Sequence, residues 1–173
     1  MNAILLTAVS PVKASSGQGL PPIRQLFGVE LGANVGQYQA VGEAVMEAEL
    51  NAPEWVQRIV PPEPNSLFSQ YEVLFNSETR EIYQVRAQST LSRIKCEATV
   101  HILSGVLKKK YEGYDFLELE GHFAVDDGSS SIMPSYQLVC TGGKMLMWLI
   151  DVEAHGLHVK QNKDRSPVST NGL

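Results

Sequence analysis

Hydrophobic positions change period along the chain, and each change marks an element. Residues 71–75 and 81–87 are rich in β-branched and aromatic side chains and flank a polar connector from Asn76 to Arg80. A connector of that length, opened by Asn and Ser that tolerate turn geometry, predicts a hairpin. The period then lengthens. Cys96, Val100, Leu103, Leu107 and Tyr111 recur at steps of four and three, the stripe of an amphipathic helix. Ile94, Ala98, Ile102 and Val106 are expected to widen that stripe. Ser92 stands where its hydroxyl can cap the first turn. Lys108, Lys109 and Lys110 suit the negative end of the helix dipole, and Gly113 offers a stop. The predicted helix therefore runs from Ser92 to Lys110.

Weaker patterns fill the rest. Residues 27–31 alternate apolar and polar, as a first strand should. The glycine-containing stretch 32–50 fits a short helix or a strand over 41–50, with strand favoured. Trp55 to Val60 reads as a strand running into Pro61, Pro62 and Pro64, which belong to a loop or a sheet edge. Residues 136–140 and 145–152 flank Gly142 and Gly143, a second hairpin. Together these elements predict an α+β fold, an antiparallel meander sheet with one main amphipathic helix packed on it. The domain is expected to span residues 23–159, with a polar, disordered tail over 160–173.

The two cysteines add a constraint. Cys96 lies on the buried stripe of the helix and Cys140 on a strand, an arrangement compatible with bridge geometry. A disulfide there would stabilise by about 2–4 kcal/mol and place the chain in an oxidising compartment. Two reduced core thiols are the alternative. Residues 1–22 are read as a signal-peptide remnant or a flexible lead-in. Residues 3–9 are apolar and Val12 to Ala14 roughly resemble a cleavage site, but a basic start is missing. A periplasmic or secreted location is expected, with cytoplasmic as the alternative.

With 173 residues the chain is long enough for one domain with its own core, and its net charge of −5 disfavours nonspecific nucleic-acid binding. No apolar run is long enough to predict a transmembrane helix. Candidate chemistry is thin. His155 and His158 are spaced for one metal on a helix but lack further ligands nearby, so exposed histidines at a strand end are expected. Glu97 and His101 have the i, i+4 spacing of an acid/base couple, which is equally that of a solvated pair. The cluster Asp126, Asp127 and Gly128 lacks the closing Glu of a calcium loop. No phosphate-binding glycine motif or nucleophile elbow occurs. No catalytic residue, metal or cofactor is predicted.

Charge asymmetry is more informative. Between residues 112 and 131 there are six carboxylates and no Lys or Arg. An acidic, aromatic surface can steer towards and anchor on a basic protein partner. The predicted contact comprises Tyr114, Asp115, Phe116, Glu118, Glu120, Asp126 and Asp127. The competing expectation is a strand over 116–125 with an acidic outer face.

The hairpin over 71–87, the helix from Cys96 to the Lys-Lys-Lys-Tyr sequence at 108–111, and the strand ending at Cys140 resemble the small periplasmic helix-on-meander proteins of Gram-negative bacteria. That group includes inhibitor and immunity proteins of secreted enzymes. The resemblance spans residues 27–151, with the strand at Met145 to Trp148 departing from it. It implies a noncatalytic protein-binding module and carries over no functional residues. A small-ligand protein or enzyme with a pocket between helix and sheet, and a structural envelope component, are the alternatives.

Overall fold

The computed structural model describes residues 20–49, 52–128, 130 and 133–165. In chain order the elements are β1 (Gln25–Leu26), β2 (Val29–Glu30), a 3-10 turn (Val35–Gln37), β3 (Gln39–Ala40), β4 (Val45–Glu49), β5 (Ala52–Val60), β6 (Gln70–Phe75) and β7 (Ile82–Thr90). They continue with α1 (Arg93–Lys110), β8 (Asp115–Leu119), β9 (His122–Asp126), β10 (Tyr136–Thr141), β11 (Lys144–Ile150) and α2 (Val152–Arg165). Two antiparallel meanders, β4 to β7 and β8 to β11, join into one nine-stranded sheet because β11 returns to pair with β7. The strand order is β3-β5-β6-β7-β11-β10-β9-β8, with β4 also on β5. This is the expected α+β fold, with α1 as its main helix.

Both predicted hairpins form. Between β6 and β7 the Asn76 carboxamide oxygen accepts from the amides of Glu78 and Thr79, at 2.8 and 3.2 Å. Between β10 and β11, Gly142 and Gly143 take φ of +55° and +76°, the left-handed pair that a tight hairpin turn requires. Two further hairpins replace expected single strands. The run 27–31 opens on a turn at Phe27 and Gly28, both with positive φ, so that β2 within it folds back on β1 just before it. The run 116–125 folds back at Gly121, φ +68°, making β8 and β9.

Helix α1 lies over β9, β10 and β11. Cys96, Val100, Ser104 and Leu107 are its buried positions, and Cys96 is bonded to Cys140 with Cα atoms 5.8 Å apart. The expected wideners do not join them: Ile94, Ile102 and Val106 are 80%, 67% and 57% exposed, and Ala98 is exposed too. At about 100° per residue they fall on the far side of the helix from Val100. Ser92 is the N-cap residue, but its hydroxyl makes no cap bond. Residues 23–35 complete this side, inserting Ile23, Leu26, Val29, Leu31 and Val35 into the same core as Val73, Phe75, Val85 and Phe123.

The C-terminal boundary needs correction. The strand expected to reach residue 152 stops at Ile150, because the Asp151 carboxylate accepts from the Ala154 amide at 2.9 Å and starts a helix. Helix α2 then runs through Lys160 to Arg165, so the residues from 160 to 165 are helix rather than tail. Residues 1–19 and 166–173, where the lead-in and the rest of the tail were expected, lie outside the described residues.

Candidate functional site

Side chains alternate across the sheet, so the strands that fill the core also present a second face. Its rows follow from register. Trp148 pairs with Arg86, Arg86 with Glu72, and Glu72 with Arg58. One row over, Leu146 pairs with Gln88 and Gln88 with Gln70. A register shift between Leu74 and Phe75 brings Tyr83 to this side, where it joins Val56 and Leu74 in a small separate cluster.

Helix α2 covers that cluster. Ala154 packs on it, His155 Nε2 donates to Glu54 Oε1 at 2.9 Å, and the His158 ring stacks on Tyr83 at 5.1 Å. The two histidines are therefore not exposed at a strand end. Their spacing of three puts both on the helix face turned to the sheet, and His158 is only 4% exposed. Arg86 reaches Glu54 at 3.6 Å and Glu47 at 3.5 Å. Burial alone would raise the Glu54 carboxyl. The hydrogen bond from His155 and the charges of His155, Arg86 and His158 outweigh it and hold the group below its ordinary value. Burial, reinforced by the Glu54 charge, pushes the Tyr83 phenol well above its ordinary range.

Beyond α2 no described residue covers the face, which holds a cleft of about 280 Å³ lined by Gln70, Glu72, Gln84, Arg86, Ala87, Gln88, Leu146, Met147 and Trp148. Gln84 is the telling residue. Its side chain is largely buried, and its carboxamide bonds to no described residue but keeps contact with the open cleft; the sealed, unpaired side-chain atoms among the described residues are instead Tyr83 Oη, His122 Nε2 and Ser135 Oγ. The half-buried Trp148 indole N–H and the Gln88 amide likewise lack partners there. Gln70, by contrast, donates to Glu72, which also pairs with Arg58 at 3.5 Å. Besides Ala87 and Met147, the lining combines one cation and one anion with three carboxamides, an indole and a leucine.

The predicted acidic contact is placed at the opposite edge of the sheet, and its aromatics are used internally. Phe116 stacks on core residue Phe123 at 5.6 Å. Tyr114 packs edge-on against Tyr111 and donates to the Pro21 carbonyl at 2.7 Å. Glu118 pairs with Lys108, and that hydrogen bond holds its carboxyl below the ordinary value. Asp127 accepts from the Ile23 amide at 2.8 Å, and Asp126 from the Gly128 amide at 2.9 Å. Glu120 and Asp126 stay exposed, and Asp115 is half-buried. A groove of about 390 Å³ between α1 and the β8–β9 turn brings Glu118 and Glu120 near Glu97 and His101. Within it Glu97 pairs with Arg93 at 2.8 Å rather than with His101.

Sequence reasoning missed the cleft, although a signal was present. Gln70 and Glu72 alternate with Tyr71 and Val73, and Gln84, Arg86 and Gln88 with Val85 and Ala87. A hairpin with polar residues at every second position has a face that the core does not use. Among the described residues no group of three metal-ligating side chains gathers, and no helix is long and apolar enough to cross a membrane. No protein-family model, curated protein or solved structure matches the chain.

Proposed function

We propose that the protein is a noncatalytic binding module of an oxidising, periplasmic or secreted setting, and that it takes its ligand on the open face of the sheet. The observation that carries this reading is the Gln84 carboxamide, which bonds to no described residue and opens into a cleft beside Trp148. The fold leaves this amide's donors and acceptor unused, so they are available to a ligand seated in the cleft. Small-molecule sites combine apolar and aromatic walls with a few convergent polar groups, and this cleft has that make-up at small scale. The disulfide supports the compartment. The Glu54–His155 pair seats α2 on the sheet, a structural use of residues that could otherwise suggest acid–base chemistry.

A protein partner with a basic surface is the second reading, in the manner of an inhibitor or immunity protein. It is favoured by β8, an edge strand with Leu117 and Leu119 exposed beside Glu120 and Asp126. An unpaired edge can accept a partner strand. Protein-detected NMR with a library of neutral small fragments tests the first reading. Shifts gathered on the Trp148 indole and the Gln84 and Gln88 side-chain amides are expected. Fragments that gather elsewhere, leaving these signals unmoved, would overturn it. Glu120→Lys with Asp126→Lys is expected to leave such binding unchanged, whereas loss of binding in that variant would favour the acidic edge.

A further inference from the structure

We infer that the open-face cleft takes a neutral saccharide ring, an assignment that rests on the binding reading above and names its ligand class. The first step is charge. Arg86 is already countered by Glu47 and Glu54, and Glu72 stands in the same lining. A phosphate or carboxylate ligand would meet no free positive charge, and a cationic ligand no free carboxylate, because Glu72 is engaged by Gln70 and Arg58. The site is matched to a ligand without net charge.

The second step is hydrogen bonding. A carboxamide carries two N–H donors and an acceptor oxygen side by side. Gln84 and Gln88 therefore seek groups that both donate and accept. Hydroxyl groups do so at a single atom, and vicinal hydroxyls on a ring present them in pairs. A purely apolar ligand would leave Gln84 unpaired on complex formation, which binding sites built around polar groups penalise.

The third step is shape. Trp148 and Leu146 supply the apolar surface of the cleft. An indole has an electron-rich face, which attracts the polarised C–H groups on the flat side of a pyranose ring. A cleft of about 280 Å³ lies at the small end of ligand pockets and suits one ring rather than a protein loop. Extended peptides take the edge of a sheet through backbone bonds, whereas this cleft lies on its face, between the side chains of β6, β7 and β11.

Titration calorimetry of the intact protein tests the inference, with Trp148 indole NMR as the site-specific readout. The probes are a panel of neutral trisaccharides of gluco, galacto, manno and N-acetyl configuration, with adenosine and trialanine beside them. At least one trisaccharide is expected to bind and to move the Trp148 signal. Trp148→Ala and the near-isosteric Gln84→Leu are each expected to weaken it by about tenfold or more, and Glu120→Lys to leave it unchanged. If adenosine or trialanine shifts Trp148 while every saccharide is silent, the saccharide class is overturned and the binding reading stands. If no probe or fragment perturbs the cleft, both fall. A Gln84→Leu variant that folds normally and binds the trisaccharide undiminished would overturn the role given to its carboxamide.

Discussion

Along β7, Val85 and Ala87 turn into a core sealed by α1 and residues 23–35, while their neighbours Gln84, Arg86 and Gln88 turn to a face that α2 covers only at one end. The covered face is apolar, closely packed and cross-linked to its helix by the Cys96–Cys140 bond. The other face has a small apolar cluster, an ion-paired latch and an open cleft. One set of strands thus divides two tasks. Packing on one side holds the sheet, and the unpacked polar side is left available to a ligand at some cost to stability.

Substitutions that compare the faces should separate those tasks. The largest effect is expected at Phe123, fully buried under α1, where Phe123→Ala should cost about 3–5 kcal/mol in urea unfolding. Trp148→Ala, an aromatic truncation of greater volume on the open face, should cost far less. Equal costs would mean that the cleft is part of the core. Next comes the bridge: Cys96→Ala with Cys140→Ala should lower stability by about 2–4 kcal/mol, read by the same unfolding curve.

The latch should respond to pH. Glu54 has a folded-state carboxyl held below its ordinary value of 4.5, so the unfolded chain binds its proton more readily. Its contribution is complete above that ordinary value and is lost as pH falls through the lower folded value. Hydrogen exchange should find α2 amides losing protection in this acid range before β9 to β11 do. Glu54→Gln should reproduce that pattern at neutral pH by weakening the pair with His155. The smallest effect is expected on the outer side of α1, where Ile102→Ser should stay within about 0.5 kcal/mol of the parent.

Much of this fold was legible because local chemistry and global packing agree. Asn76 and the Gly142–Gly143 pair marked both long hairpins, and the spacing from Cys96 to Leu107 marked the buried side of α1. The misses arose where one residue redirects the chain. Gly28 and Gly121 each turn what alternates as a single strand. Asp151 converts the end of β11 into the start of α2, and that change moves His155 and His158 from an imagined strand end to the sheet. The acidic segment was legible as charge, but Phe116 and Tyr114 belong to the packing, which composition could not reveal. The cleft depends on the pairing of β7 with β11 across a long separation in sequence, and no local pattern encodes which strands will be neighbours.

Whether Gln84 is kept for a ligand or for the fold is tested most directly by the thermal stability of ligand-free Gln84→Leu. Replacing a carboxamide that bonds to no described residue with an apolar group of similar size should leave the melting temperature unchanged or raise it. A fall of several degrees, corresponding to a loss of about 1 kcal/mol or more, would mean that the carboxamide supports the folded chain itself and would contradict the open face as a binding surface.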